Sequence, residues 1–310
     1  MAAPAFSLRE VVESLQSADG HLPREVEERF FAFLRLHNGT AKTTYPHRLD
    51  EVNGAAASLL PPWRPLQLLD VGVSSGVSTL EWIESLERSG VEFHMTAMDL
   101  MVRGILIGFG HGIEILADAR GRALLINIRG SWIPNPAGRR NLLRYFAVIL
   151  ALRLWLRLFW PRVMRSVEGN LPSRWFTTCW VPLLHSALVN HPGVSIQEAD
   201  ILGETVPMAH AHVIRAANIL NRSYFSEAQL AMIVRRLRAR LPSGGLLIVC
   251  RTYEDSGVTA GTIFQLHSTG CFQVAARINN GSEIENLICQ LEPDTPSSRH
   301  SCGSVNSSRC

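Results

Sequence analysis

Lysine is nearly absent from this chain of 310 residues. Lys42 is the sole lysine among 30 basic residues, and the other 29 are arginine. A genome-wide codon bias is enough to account for that ratio. Paired cysteines are also missing. Cys179, Cys250, Cys271, Cys289, Cys302 and Cys310 form no C-x-x-C, and no histidines accompany them at zinc spacing. No metal site is expected, and the thiols read as reduced groups of a cytosolic protein. The start, MAAPAFSLREVVESLQ, has no apolar core behind a basic head, so no secretory signal is expected. A long uncharged apolar run is lacking too. The most apolar stretch, 141–160, holds only eight uncharged residues in a row, Tyr145–Leu152, whereas a membrane span needs about 20. The composition, 46% hydrophobic and 18% charged, excludes collagen, coiled coil and wholesale disorder.

What is present is unevenly spread. Residues 119–167 carry ten arginines (120, 122, 129, 139, 140, 144, 153, 157, 162 and 165) and no acid, although the net charge is only +3, so the remainder is at −7. Such segregation speaks to partners rather than to fold.

The pattern divides the chain. Residues 1–60 read as an N-terminal helical segment, with a capping box at Ser7–Glu10 and a second helix from about Pro23. After the Pro-rich link 61–65, residues 66–73 read as a buried strand, Thr79–Glu87 as a helix and Val91–Met98 as a second strand. Residues 103–190 interrupt this alternation as an insertion: a hairpin (112–117 and 123–128), then an apolar, Arg-rich helix over 141–160. Strands follow at 194–198, 212–217 and 246–251, with a helix capped by Ser226 between the last two. Residues 262–266, 271–278 and 284–290 suggest a closing antiparallel pair, and 292–310 a disordered tail. Residues 61–102 and 191–291 thus form one α/β domain.

The informative piece is Asp70-Val-Gly72-Val-Ser74-Ser-Gly76, between a strand and a helix. Small residues there let a ligand approach the backbone, and the helix start offers free amides. Gly72, Ser74 and Gly76 are spaced by two, and position 77 is valine, so the dinucleotide fingerprint G-x-G-x-x-G fails. This stretch resembles motif I of the class I S-adenosylmethionine (SAM)-dependent methyltransferases, with Ser74 in place of the middle glycine. Met98-Asp99 looks like the family's ribose-binding acid, and Glu198-Ala-Asp200 like the acid near the adenine. His212–Leu220 with Asn218, followed by Leu241–Val249, is similar to the same region of chemotaxis-receptor methyltransferases. The resemblance covers about residues 66–100 and 194–290.

The resemblance implies a three-layer Rossmann-like sheet, mostly parallel, of seven strands with the last antiparallel. It implies SAM as cofactor, held by Asp70, Gly72, Ser74, Gly76, Asp99, Asp200 and Asn218, and methyl transfer to a small-molecule or lipid-like acceptor by in-line displacement. No general base is assigned. Lys42, Tyr45 and His47, in the polar link before the sheet, are weaker candidates for a cover over the cofactor. The alternative is a non-catalytic methyltransferase-like binding or scaffold protein recruited to a membrane surface; a nicotinamide oxidoreductase is a third reading. The insert is expected to be a lid or a peripheral contact with the inner face of a membrane through 139–165, rather than a nucleic-acid site. The acidic remainder is expected to neutralise most of its arginines, leaving Arg139, Arg140, Arg162 and Arg165.

Overall fold

The computed structural model describes residues 7–16, 24–34, 42, 46–134, 139–169 (backbone only at 139–144), 173–203, 210–253 and 255–292. Tyr45 and the tail beyond 292 lie outside them. In chain order the elements are α1 (Leu8–Gln16), α2 (Arg24–Phe33), α3 (Asp50–Ala57), β1 (Leu66–Val71), α4 (Val77–Arg88) and β2 (Phe93–Asp99). Next come β3 (Arg103–Gly108), β4 (Ile113–Ala117), β5 (Ala123–Ile128), β6 (Ser131–Pro134), α5 (Arg139–Val167), β7 (Thr177–Pro182) and α6 (Ser186–Val189). The chain then forms β8 (Val194–Glu198), β9 (Val213–Ala217), α7 (Glu227–Arg238), β10 (Leu246–Thr252), β11 (Thr259–Leu266), β12 (Phe272–Ile278) and α8 (Glu285–Gln290).

Seven strands make the first sheet, in the order β12-β11-β10-β9-β1-β2-β8. The five from β8 to β10 are parallel, β11 is antiparallel to β10, and β12 is antiparallel to β11. The mixed, mostly parallel α/β sheet of seven strands is that expected, but the strand that opposes the five is the sixth, β11, whereas the last, β12, runs in their direction at the edge. Residues 284–290, grouped with the closing strands from the sequence, are mostly the short helix α8, and its Ile288 packs into the core on the α7 side. Alternation sorts the two faces. Leu69, Val71, Ile214 and Val249 pack with α7, while Leu66, Leu68, Val213 and Ile248 pack with α3 and α4. Chain order reverses at β1, since β2 and β8 follow on one side and β9 and β10 on the other. The carboxyl ends of β1, β2 and β9 therefore flank a topological switch point, where open α/β sheets bind ligands.

The insertion is larger than a hairpin. It forms a second, five-stranded antiparallel sheet, β6-β5-β4-β3-β7, which contains the hairpin as β4 and β5. Residues 175–182, which had no assignment from sequence, supply its edge strand β7. Alternation again divides the faces: Leu106, Leu116 and Leu125 meet Leu8, Val11, Phe30 and Phe31 of α1 and α2, while Ile105, Ile107, Ile115 and Ile126 meet Ile149, Leu156 and Val163 of α5. The N-terminal helices thus cover the inserted sheet. Glu114 secures the first of them, its buried carboxylate accepting from the Leu8 amide at 2.8 Å and from Asn127 at 2.8 Å.

Candidate cofactor-binding site

The turn after β1 is built around backbone that L-residues rarely adopt. Gly72 (φ 76°), Ser74 (φ 57°) and Gly76 (φ 93°) are all left-handed. Ser74 therefore adopts the conformation of the glycine it replaces, at a cost of roughly 1–2 kcal/mol. A side chain at Gly76 would meet Leu188 of α6, and one at Gly72 would meet Ile219, just beyond β9. The amides of Gly72 and Val73 donate to the Met98 carbonyl on β2, fixing the turn against the neighbouring strand end.

Asp99 ends β2 beside this turn and is nearly buried. Its Oδ2 accepts from the Ser74 amide at 2.7 Å and its Oδ1 from the Met101 amide at 3.1 Å. Gly72 and Ser74 are thus held against the end of β2 at Met98 and Asp99, and Gly76 closes the same turn. Asn218 lies at the end of β9, left-handed at φ 60°; its Oδ1 accepts from the Thr252 amide at 2.6 Å. Asp200 lies in the loop after β8, one residue beyond Ala199, whose amide donates to the Asp99 carbonyl. It is exposed and caps its own turn through the Leu202 amide at 2.9 Å.

Asp70 has a different task from the one the resemblance implies. It faces α3 and α4, and its register partner on β9 is Arg215. The Arg215 guanidinium donates to both carboxylate oxygens, Nε to Oδ1 at 2.9 Å and Nη2 to Oδ2 at 2.6 Å, and the Thr79 hydroxyl adds a bond to Oδ2 at 2.7 Å. Arg215 is 1% exposed, bonds also to Asn53 and to the Ser78 carbonyl, and lies 4.3 Å over the Trp82 ring. Both Asp70 oxygens are therefore engaged, and the residue anchors the turn through an ion pair inside the core. Arg215 went unremarked in the sequence reading. Its signal was an arginine inside the apolar run His212–Ala217, since a buried charge needs a partner.

Lys42 is the larger surprise. Instead of an exposed link residue, it is 1% exposed, with its ammonium at the heart of the site. Nζ donates to the carbonyls of Ser74 (3.0 Å), Met101 and Leu183 (3.5 Å) and sits 3.5 Å from Asp99 Oδ1. Its backbone amide donates to the Leu34 carbonyl, just after α2. One side chain so joins the N-terminal helices, the motif turn, the end of β2 and the end of β7. A compact ammonium suits several converging carbonyls better than a planar guanidinium, which gives a local reason for lysine here. His47 remains on the surface, its ring 3.1 Å from Asp50.

Burial pushes the Lys42 pKa below its ordinary 10.5, outweighing the attraction of Asp99. The unfolded chain then holds the proton more tightly, so stability rises as pH climbs from the folded-state pKa towards 10.5. The buried Cys250 thiol, pushed from 9.0 up to about 11, acts in the opposite sense, because the unfolded thiol ionises first. Comparing wild type with Lys42→Met isolates the lysine. Denaturant unfolding across this range should show the wild type gaining stability relative to the variant as pH rises. A pH-independent difference would mean that the ammonium is solvated.

The residues at this edge fit a nucleoside-bearing cofactor in part. Ser75, within the turn, is 1% exposed and its hydroxyl has no partner. The Asp99 carboxylate stands at the same turn with both oxygens already engaged, and α4 starts directly after Gly76. Lys42 is what a ribose would have to displace or share. Among the described residues no cluster of three or more His, Cys, Asp or Glu forms a metal site.

Neither a family model nor a curated protein matches the chain. Solved structures similar to it include the N-methyltransferase NodS from Bradyrhizobium japonicum WM9 in complex with S-adenosyl-L-homocysteine, at 12% identity over 75% of this chain and 74% of that one, TM-score 0.32. The sugar N-methyltransferase KedS8 from Streptoalloteichus sp. ATCC 53650 is 12% identical over 65% of this chain and 46% of that one, TM-score 0.29. The citrinin polyketide synthase CMeT domain is 15% identical over 61% of this chain and only 30% of that one, TM-score 0.26. The chain spans less than half the length of two of the first three of these structures, this domain and the [4+2]-cyclase SpnF. At such values the function has to be carried by the site itself. What the sheet order and the turn after β1 establish is the fold, a Rossmann-like, mostly parallel α/β sheet with an antiparallel sheet inserted after β2.

Proposed function

We propose that the chain binds SAM at the carboxyl edge of the first sheet and directs its methyl group to a small-molecule or lipid-like acceptor. The observation that carries this reading is the meeting of the left-handed turn 72–76 with the Asp99 carboxylate at a topological switch point. The cofactor supplies the methyl group when bound. The chain's part is to hold the nucleoside through Asp99, to turn sharply beside it at Gly72, and to orient it beside Asn218. Alignment of acceptor and methyl group is most of what a protein contributes to such a transfer. Asp70 and Arg215 act on the site only by fixing the turn.

A second reading has one observation in its favour. The Lys42 ammonium already occupies the carboxylate assigned to the ribose, as befits a methyltransferase-type sheet kept closed as a non-catalytic binding module. Titration with S-adenosylhomocysteine separates the two. Binding by the wild type supports the enzyme, whereas binding that appears only in Lys42→Met supports the closed module.

A further inference from the structure

The inner face of α5 covers the second sheet, but its outer face is not that of a solvated helix. Phe146, Leu150, Leu154 and Leu158 follow one another at four-residue spacing and are 56%, 54%, 55% and 65% exposed. They lie on the side away from Ile149, Leu156 and Val163, which enter the core. Every charged residue of α5 is an arginine. Arg157, Arg162 and Arg165 stand on the exposed side among these apolar residues, and among the described residues no carboxylate pairs with them. Arg162 and Arg165 are thus left without a carboxylate among the described residues, as expected, and Arg157, expected to be neutralised, is left with them. Arg162 lies instead over the Phe159 ring, and Arg165 donates to the Pro161 carbonyl. Trp175 is 74% exposed just before β7; the next residue, Phe176, touches Trp155 of α5.

No helix among the described residues is long and apolar enough to cross a membrane. Leucine and phenylalanine at half exposure, interleaved with arginine, instead have the makeup of a helix lying in a bilayer interface. We infer that the outer face of α5 docks on the surface of a bilayer containing anionic phospholipid. The leucines enter the acyl boundary while the guanidinium groups stay with the phosphates. Cationic charge without acid selects an anionic surface over a neutral one. This inference does not depend on whether the first sheet binds SAM.

The test is co-sedimentation of the full chain with phosphatidylcholine vesicles, with and without phosphatidylglycerol, at low and high salt. Binding should be stronger on the anionic vesicles by roughly fivefold for each of the three arginines, about 100-fold together, and should fall with salt. Leu154→Glu and Leu158→Glu, both at exposed positions, should abolish it without changing the thermal unfolding midpoint. Arg157→Gln with Arg165→Gln should weaken it on anionic vesicles alone. Absence of sedimentation with anionic vesicles at low salt overturns the proposal. So does a dimer in analytical ultracentrifugation that Leu154→Glu dissociates while vesicles bind neither form, since the face would then belong to a second copy of the chain.

Discussion

Replacing Arg215 by methionine is expected to destabilise the chain by about 3–5 kcal/mol, the cost of removing one member of a buried ion pair. The loss comes chiefly from what stays behind. Asp70, 2% exposed, would keep only the Thr79 hydroxyl, and Asn53 Oδ1 and the Ser78 carbonyl would each lose a donor. The cation over the Trp82 ring would go as well. Asp70→Val should cost a similar amount, because it strands the guanidinium. The double replacement should recover much of either loss, since an apolar pair of similar volume is often nearly neutral. Chemical denaturation of the two single variants and the double variant forms the cycle. Additive losses would show that the pair is not coupled and that Asp70 is held for the ligand alone.

The second large effect is expected at Asp99. Asp99→Ala should cost about 3 kcal/mol, near the lower end for a broken buried pair, because lysine, unlike arginine, is able to shed its proton. Two amides, those of Ser74 and Met101, lose their acceptor together, and the ammonium of Lys42 keeps carbonyls but no counter-charge. Adding Lys42→Met to Asp99→Ala should restore part of the loss. If Asp99→Ala is as stable as wild type, Lys42 does not tie the two sheets together through Asp99.

These two pairs also mark how far the sequence was legible. Local pattern placed β1, β2, β8, β9 and β10, because a short apolar run between a Gly-rich turn and a helix has few alternatives. It placed Gly72, Ser74, Gly76 and Asp99 together, since consecutive strand–helix–strand geometry brings those ends into contact. It missed the partner of Asp70, because that contact depends on the register of β1 against β9, 145 residues apart. It offered Lys42 only as a weaker candidate for a cover and missed its burial, which arises from the packing of α1 and α2 on an inserted sheet that a single hairpin signal did not reveal. The strand β7 carried no legible alternation, being an edge strand with Cys179 and Thr177 exposed. Apolar character identified α5 as a helix. Only its packing shows which side of it is left to the outside.

The most direct test of the cofactor site is isothermal titration of S-adenosylhomocysteine into wild type, Lys42→Met and Asp99→Asn, with folding of each verified by circular dichroism. The reading predicts saturable binding to the wild type and a loss of about 1.5–3 kcal/mol in Asp99→Asn, the scale of hydrogen bonds to a charged group. Absence of binding to the wild type, or an affinity unchanged in Asp99→Asn, would contradict it.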